Sequence, residues 1–531
     1  MSEILELFAS QLKVKRIETE RDMSLILPFP KLDARPDPLR GDTSADKPAA
    51  PIPLIKKLCD TLNAQRISYC QWKSNWKLHR WLGGEGDLDL LIDRADAQRF
   101  VALIQGLGFK QAEPSSDRMV PGILNFYGFD QEAFRFVHLH VHYQLVIGND
   151  LTKNFHLPIE QLYLESATRT GIIPLPAVEF ELIVFVLRMV LKHSTLESIL
   201  RRGFKQRPSI SAVEKELQEL KSKADPARVA AILARVVPGV DPGFFNACEQ
   251  SLRTSSSLRS RTAARRELQR RLATFARRPI PQDALLKHYR RVTRTVTKSI
   301  FRRPARKKFV NGGLLIAIVG GDGAGKTTAL NALNKWLGKR FVTKRFHIGK
   351  PARSPLTLIT IVCLRIRRLL GNNSNRAIKD ESAFPGYLQL VRWVFAGRDR
   401  CRLYTKARRF ATNGGIALCD RYPLPQVRRM ESANISHMVE APRQNEVVRR
   451  LLRAEADYYE KIMAPDLLIV LRLEPEIAVR RKTTESEHHV RSRTQEIWGI
   501  DWDGSNAYVI NAAQSVEDVL KQLQSIIWAK L

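Results

Sequence analysis

The chain has 531 residues, 44% hydrophobic and 27% charged, which is typical of a folded protein with two to four domains and argues against a single core. Its formal net charge of +33 argues against cationic partners and favours phosphates, nucleic acid or an anionic membrane surface. The six cysteines are scattered without a C-x-x-C spacing, which argues against a disulfide framework or a zinc site.

The first 53 residues predict a flexible region. Seven prolines in this stretch are mixed with Asp, Ser, Gly and Ala, a composition typical of a tether between folded parts. We see no cleavable signal peptide at Met1 and no apolar run long enough to span a bilayer, so we expect a cytoplasmic protein. The sequence does not indicate an oligomeric state.

Residues 54–177 predict a domain of mixed helices and strands. Hydrophobic periodicity predicts two helices and three strands. The predicted helices cover 54–63 and 95–107, and the predicted strands cover 68–72, 87–92 and 134–146.

Two carboxylates lie on the second of these strands. Asp87 and Asp89 are two residues apart, so they face the same side of the strand and could share a metal ion. This strand and its surroundings resemble the nucleotidyltransferase superfamily, in which such a pair holds Mg²⁺ for nucleotidyl transfer. By that resemblance a third acid is expected where this chain has His140, and catalytic activity of this domain stays open.

Three histidines alternate along the third strand. His138, His140 and His142 would share one face, because side chains repeat every two residues on a strand. Imidazole is a ligand for transition metals, so a three-histidine metal site is an alternative interpretation.

The middle of the chain, residues 178–310, predicts helices with a strong positive charge. Between 252 and 309 nineteen Lys or Arg stand against two acids, and this segment carries about half of the net charge. One interpretation is a solvated helical linker whose arginines pair with acids elsewhere. The other is a platform for nucleic acid or an anionic membrane surface. A second basic amphipathic stretch, 356–370, predicts a helix that packs on a sheet or lies on a membrane.

A phosphate-binding loop follows a buried apolar strand predicted over 314–319. The pattern G-x-x-x-x-G-K-T lets glycine backbone N–H groups form a cradle for phosphate oxygens, and a helix follows directly. Lys326 would reach the β- and γ-phosphates, and Thr327 would ligate Mg²⁺. The predicted ATP-binding residues are Gly320, Gly321, Asp322, Gly323, Ala324, Gly325, Lys326, Thr327 and Thr328.

Three more strands fit this loop in order. The first ends in Asp420-Arg421. The acid could hold Mg²⁺, and the arginine could neutralise charge on the transferring phosphoryl group. The next, 467–473, precedes a short helix and a polar stretch with Arg491 and Arg493, as a lid over phosphates would require. The last covers 508–510 and is followed by a capped helix start at Ser515.

Together these motifs resemble the thymidylate kinase family of P-loop nucleoside monophosphate kinases. The matching motifs are Asp322–Thr328, Ala396–Arg400 and Asp420–Tyr422, and the resemblance covers 314–528. It implies phosphoryl transfer from ATP to dTMP, which gives dTDP and ADP. It also implies that Asp322 contacts the acceptor sugar, that Arg400 and Arg421 contact the acceptor nucleotide, and that Arg493 is a lid arginine.

The acceptor side differs from the family pattern. The second strand of this domain, where the family has an Arg-Glu-Pro substrate motif, instead reads Lys344-Arg345-Phe346-His347-Ile348-Gly349-Lys350-Pro351, and Pro423-Leu424-Pro425-Gln426 replaces a Tyr-Gln motif. A nucleic-acid end or a glycan as acceptor therefore stays open, as does an ATP-gated binding protein. We predict an α/β fold with four regions: a Pro-rich region (1–53), a nucleotidyltransferase-like α+β domain (54–177), a basic helical segment (178–310) and a P-loop parallel-sheet kinase domain (311–531).

Overall fold

The structure is a computed structural model that describes residues 50–169, 171–193, 210–299, 306–369, 386–427 and 445–531. The predicted Pro-rich region lies almost wholly outside these residues and stays a prediction, as does the C-terminal end of the 356–370 stretch.

The α-helices that precede the phosphate loop first pack around a sheet and then form a layer that consists of helices. They are α1 (Pro53–Ala64), α2 (Leu78–Leu82), α3 (Ala97–Gly106), α4 (Glu160–Glu165), α5 (Val178–His193), α6 (Ile210–Lys223), α7 (Pro226–Val236), α8 (Pro242–Ser251), α9 (Leu258–Arg271) and α10 (Ile280–Ser299). The second half contributes α11 (Lys326–Leu337), α12 (Pro355–Leu369), α13 (Tyr387–Thr412), α14 (Glu446–Glu460), α15 (Pro475–Arg481), α16 (Glu487–Gly499) and α17 (Val516–Lys530).

The strands of the first half form two sheets. They are β1 (Tyr69–Gln71), β2 (Asp87–Ile92), β3 (Lys110–Glu113), β4 (Ile123–Asp130), β5 (Arg135–His142), β6 (Leu145–Ile147), β7 (Phe155–Leu157) and β8 (Lys308–Phe309). The first sheet has the order β1-β2-β5-β4-β3-β8, in which only β2 and β5 are parallel neighbours. β6 and β7 pair separately as an antiparallel ribbon.

The strands of the second half form one parallel sheet. They are β9 (Leu315–Gly320), β10 (Thr343–His347), β11 (Ile416–Asp420), β12 (Leu467–Arg472) and β13 (Ala507–Asn511). This second sheet has the order β10-β11-β9-β12-β13, and every neighbouring pair is parallel. All six residues of β9 are buried, as expected for a central strand covered by helices on both faces. The predicted α/β class is confirmed.

Most predicted elements occur within one to three residues of their expected bounds, including the helix that Ser515 caps by accepting a hydrogen bond from the Asp518 backbone N–H. The prediction of one strand over 134–146 is wrong, because β5 ends at His142 and β6 joins a different sheet. The sequence does not predict strands β3, β4, β7 and β8.

An aromatic cluster joins the two sheets. Phe136 of β5 stacks on Trp336 of α11 with ring centroids 5.0 Å apart, and the indole N–H of Trp528 donates to the Gly108 carbonyl at 3.2 Å. β8 adds a backbone connection, because it pairs with β3 while the Phe309 N–H donates to the Gly414 carbonyl beside the second sheet. Aromatic contacts of this kind stabilise the packing of one sheet against the other.

Part of the basic helical segment uses its charges internally. Arg271 contacts the carboxylates of Glu267 and Asp241, as the linker interpretation expects. Other arginines donate to backbone carbonyls of one loop, residues 151–153; these are Arg277, Arg278 and Arg290, and Arg278 also lies 3.8 Å from the Asp283 carboxylate. Binding of nucleic acid or of an anionic membrane stays a prediction.

Among the residues that the structure describes, no α-helix combines the length and the apolarity that a bilayer crossing demands.

Candidate functional site

The phosphate loop, residues 320–328, connects β9 to α11 through two left-handed glycines. Gly323 and Gly325 have φ angles of 81° and 82°, which L side chains rarely adopt. A side chain at Gly323 would also approach the Ala478 carbonyl oxygen, because a Cβ there would lie 3.1 Å away. The glycines therefore permit the turn that aims the N-terminus of α11 and its free N–H groups at one point.

Lys326 lies inside this loop. Its ammonium donates to the carbonyl oxygens of Gly320 and Gly321 at 2.8 and 2.7 Å, and only 9% of the residue is exposed. A positive charge is thus held beside the N-terminus of α11, which itself favours anions.

Asp420 ends β11 at the same edge of the second sheet. The strand is parallel to β9, with Asp420 opposite Ile318, so its side chain comes to the loop from the neighbouring strand. Its Oδ1 atom is buried and has no hydrogen-bond partner within the described residues, while His347 Nε2 lies 4.0 Å from Oδ2. An unpartnered buried carboxylate oxygen is costly without a cation, so this acid and the Thr327 hydroxyl fit Mg²⁺.

Arg421 follows with a backbone that non-glycine residues rarely adopt. Its φ is 52°, in the left-handed region, which costs about 1–3 kcal/mol and tends to occur at functional sites. The strained turn places the guanidinium-bearing residue at the edge of the phosphate cavity.

A cavity of about 350 Å³ lies where these elements meet. Most of the predicted loop residues and both members of Asp420-Arg421 line it, and two residues absent from the predicted site, His347 and Lys482, join them. The lining comprises Asp322, Gly323, Gly325, Lys326, Thr327, Thr328, His347, Asp420, Arg421 and Lys482.

Asp322 lies against the predicted lid. Arg493 of α16 donates to its carboxylate at 3.1 Å, Lys482 lies 3.7 Å away, and the residue is 3% exposed. Burial would raise the pKa of Asp322, but the Arg493 hydrogen bond and the charges of Lys326 and Lys482 lower it below its usual range. The carboxylate is therefore ionised and fastens the lid segment to the loop.

Two predicted basic residues lie elsewhere. Arg491 pairs with Glu476 of α15 at 2.9 Å, away from the loop. Arg400 of α13 hydrogen-bonds the Tyr459 hydroxyl and approaches the Gly349 carbonyl at 3.4 Å, and it does not line the phosphate cavity. Its predicted contact with an acceptor stays a prediction.

A second cavity of about 660 Å³ lies beside the beginnings of β12 and β13, at the opposite edge of the second sheet. It is lined in part by the 422–426 segment that replaces the family motif. Ligands of parallel α/β sheets bind at the carboxyl ends of the strands, so the smaller cavity is the candidate phosphate site.

In the first sheet the two predicted carboxylates have different partners. Asp87 pairs with His138 Nδ1 at 2.6 Å, and His138 Nε2 contacts Asn125 at 3.0 Å. Lys307, from the segment before β8, reaches the same histidine at 3.2 Å, and burial lowers the pKa of Lys307 to about 8.

Asp89 is surrounded by basic side chains. Lys73 Nζ lies 2.7 Å from Asp89 Oδ1, and His140 Nδ1 lies 2.8 Å from the same oxygen. His142 is fully buried, and its Nε2 is 3.5 Å from that oxygen. Nearby, burial and the charge of Lys73 lower the pKa of Lys153 to about 7. Lys153 belongs to the loop that the basic segment holds by its carbonyls.

Sequence reasoning missed Lys482, Lys73 and Lys307. Lys482 follows Arg480 and Arg481, and nothing in the pattern separates it from them. Lys73 comes directly after a predicted strand. A lysine beside an Asp-x-Asp strand is a signal that could have indicated its contact with the carboxylate. Lys307 is one of nineteen basic residues in its segment, and only the pairing of β8 with β3 places it.

Comparisons with known proteins cover part of the chain. No protein-family model matches it. The Uncharacterized ATP-binding protein YghR of Escherichia coli K12 is 23% identical over 219 residues, which are 40% of this chain and 86% of that protein. A protein of the same name from E. coli O6:H1 gives the same values.

Two solved structures are similar over a comparable share. A thymidylate kinase from Candida albicans aligns with 17% identity and a TM-score of 0.27, covering 41% of this chain and 92% of that one. A deoxyadenosine kinase from M. mycoides, solved with bound dATP, aligns with 16% identity and a TM-score of 0.23, covering 40% and 98%. The fold described above rests on the strand order and register of this chain.

Proposed function

We propose that residues 311–531 bind ATP and transfer its γ-phosphoryl group to an acceptor. The observation that carries the proposal is the cavity at the carboxyl edge of the second sheet. Its wall combines the glycine-turned loop, the buried Lys326 and the unpartnered Asp420 oxygen. The name of the E. coli relative, an ATP-binding protein, supports ATP as the donor.

Each group has a role in transfer. The loop N–H groups and Lys326 bind the β- and γ-phosphates, and Thr327 and Asp420 hold Mg²⁺, which neutralises phosphate charge when bound. An acceptor oxygen attacks the γ-phosphorus while the bond to the β–γ bridging oxygen breaks, which releases ADP. No covalent enzyme intermediate is needed, because positioning and electrostatic stabilisation supply the catalysis.

The residues of the predicted lid act late in the phosphoryl-transfer reaction. Asp322 holds Arg493 and Lys482 beside the loop, and this supports a role for both in binding the transferred group. Arg421 and His347 line the other side of the cavity, where the acceptor would approach. The resemblance to thymidylate kinase makes dTMP the first acceptor to test, followed by other nucleoside monophosphates, nucleic-acid ends and glycans.

We also propose that residues 54–177 are a nucleotidyltransferase-like domain and that 178–310 form a basic helical segment. The mixed first sheet supports the former, since β2 carries Asp87 and Asp89 and runs parallel to β5. In the described residues each carboxylate already contacts a histidine, so nucleotidyl transfer is not included in the proposed function.

The test is ADP formation from ATP and Mg²⁺ with a panel of acceptors: dTMP, other nucleoside monophosphates, RNA and DNA ends, and sugars. We expect one class to be phosphorylated. ATP binding without transfer to any of them would contradict the kinase proposal and favour an ATP-gated binding protein.

A matched pair of lysines on α11 tests the site itself. Lys326→Ala should lower turnover at least about 100-fold, the scale for loss of one charge-stabilising donor. Lys335, exposed near the other end of the helix, serves as the control, and Lys335→Ala should leave turnover unchanged. Equal turnover by the two variants would refute the assignment.

A further inference from the structure

The parallel pairing of β2 with β5 brings three ligand atoms together outside the phosphate site. Asp89 is directly opposite His140 in the register, and His142 is two residues further on the same strand. Asp89 Oδ1 lies 2.8 Å from His140 Nδ1 and 3.5 Å from His142 Nε2, and the two ring nitrogens are 3.3 Å apart. Asp89 and His142 are buried, and His140 is partly exposed.

Protons alone satisfy these three atoms poorly. If His140 Nδ1 donates to Asp89, it cannot accept from His142, whose Nε2 then has only the long contact to the carboxylate. If His142 Nε2 instead donates to His140, the lone pair of Asp89 faces an unprotonated nitrogen at 2.8 Å. The first assignment leaves His142 Nε2 with a weak contact, and the second sets two acceptors against each other, so neither gives all three buried atoms good hydrogen bonds.

A metal ion satisfies all three atoms at once. A point about 1.9 Å from each atom lies in their plane, so an ion just above it reaches the 2.0–2.2 Å typical of bonds to imidazole and carboxylate. We propose that Asp89, His140 and His142 bind a divalent transition-metal ion such as Zn²⁺ in the first sheet. Two imidazoles and one carboxylate suit this class, whereas Mg²⁺ and Ca²⁺ prefer oxygen ligands.

His138 is outside this site although it alternates with the other two histidines. One of its ring nitrogens contacts Asp87 and the other contacts Asn125, and its ring stacks on Tyr127 with centroids 4.3 Å apart. The site therefore differs both from a three-histidine site and from a pair formed by Asp87 and Asp89.

Lys73 is the competing cation. Its ammonium lies 2.7 Å from the same Asp89 oxygen, so it repels an incoming ion and limits the affinity. Removal of this charge by Lys73→Met should tighten metal binding, while removal of a ligand should weaken it.

The test is titration of the untagged full-length protein with Co²⁺ after chelation, followed by its visible absorption, with excess Mg²⁺ present to occupy all-oxygen sites. We expect one Co²⁺ per chain, displaced by Zn²⁺. Asp89→Asn and His140→Gln should each raise the dissociation constant at least about 100-fold, more than loss of an outer partner. The control His138→Gln, on the same strand, should bind as wild type.

A folding readout accompanies the titration. Zn²⁺ should raise the melting temperature of the wild type and of His138→Gln, but not that of Asp89→Asn, because only a ligand that binds the native state stabilises it. Absence of Co²⁺ binding in the wild type would overturn the proposal, since Lys73 would then be the permanent cation. Equal binding by Asp89→Asn, or loss of binding in His138→Gln, would overturn it as well.

Discussion

The two sheets handle buried charge in opposite ways. At the second sheet the loop gathers positive groups around a cavity, and Asp420 keeps a buried oxygen without a partner in the described residues. At the first sheet the carboxylate of Asp89 is surrounded by Lys73, His140 and His142. We propose that the cavity at the second sheet binds a large anionic ligand with its own metal, and that the group around Asp89 in the first sheet binds a small cation. The contrast shows that the role of an acid on a strand is set by its neighbours.

Among the predictions that test this contrast, the largest expected effect is the loss of turnover on substitution of Asp420. Asp420→Asn keeps the shape of the side chain but removes the charge that Mg²⁺ needs, so we expect turnover to fall about 100-fold or more and the Mg²⁺ requirement to rise. Steady-state ADP formation over a range of Mg²⁺ concentrations measures both. Asp87→Asn is the control from the other sheet. Turnover that falls equally in both variants would break the distinction between the sites.

A second prediction concerns the cost of burying acids near the first sheet. Glu216 of α6 is 7% exposed, and burial, against the attraction of Arg188, raises its pKa to about 7. The folded state then holds the proton more tightly than the unfolded state, so stability is lost as pH rises from about 4.5 to 7. Glu216→Gln should stabilise the protein by about 1–3 kcal/mol above pH 7 and by little below pH 4.5.

Chemical unfolding at pH 4 and pH 8 measures this difference. Glu219, on the same helix with a half-exposed side chain that pairs with Lys223, provides the control. Glu219→Gln should change the free energy of unfolding by less than about 0.5 kcal/mol at either pH. A gain for Glu216→Gln that does not depend on pH would contradict the burial argument.

The smallest of the expected effects separates two arginines of α16. Arg493 contacts Asp322 in the phosphate loop, whereas Arg491 contacts Glu476. Arg493→Ala should lower turnover about tenfold at saturating ATP, because it removes charge that meets the transferred group. Arg491→Ala should leave turnover within about twofold, since exposed ion pairs contribute little. A larger loss of turnover in Arg491→Ala than in Arg493→Ala would contradict the placement of Arg493 over the phosphates.

Local patterns account for what the sequence predicted well. The buried run of β9, the glycine loop and the cap at Ser515 are each specified by residues adjacent in the chain, and all three occur as expected. The placement of Asp420 beside the loop also followed, because parallel neighbouring strands end at one edge.

Contacts between residues that are far apart in the chain account for the features that the sequence did not predict. Lys482 and Arg493 reach Asp322 only because α15 and α16 fold back on the loop. Which of the alternating histidines lie near Asp89 depends on the register of β2 with β5 and on the side chains that cover each ring. Neither can be predicted from the spacing of the histidines. Similarly, no local pattern indicates that β8 joins the first sheet across about 195 intervening residues.

The central claim is that the nucleotide binds at the second sheet and not at the first. Calorimetric titration of the full-length protein with ATP and Mg²⁺ tests it most directly. We predict that Lys326→Ala weakens ATP binding at least about tenfold and that Asp89→Asn leaves it unchanged. Binding that survives in Lys326→Ala and is lost in Asp89→Asn would contradict the account and move the nucleotide to the first sheet.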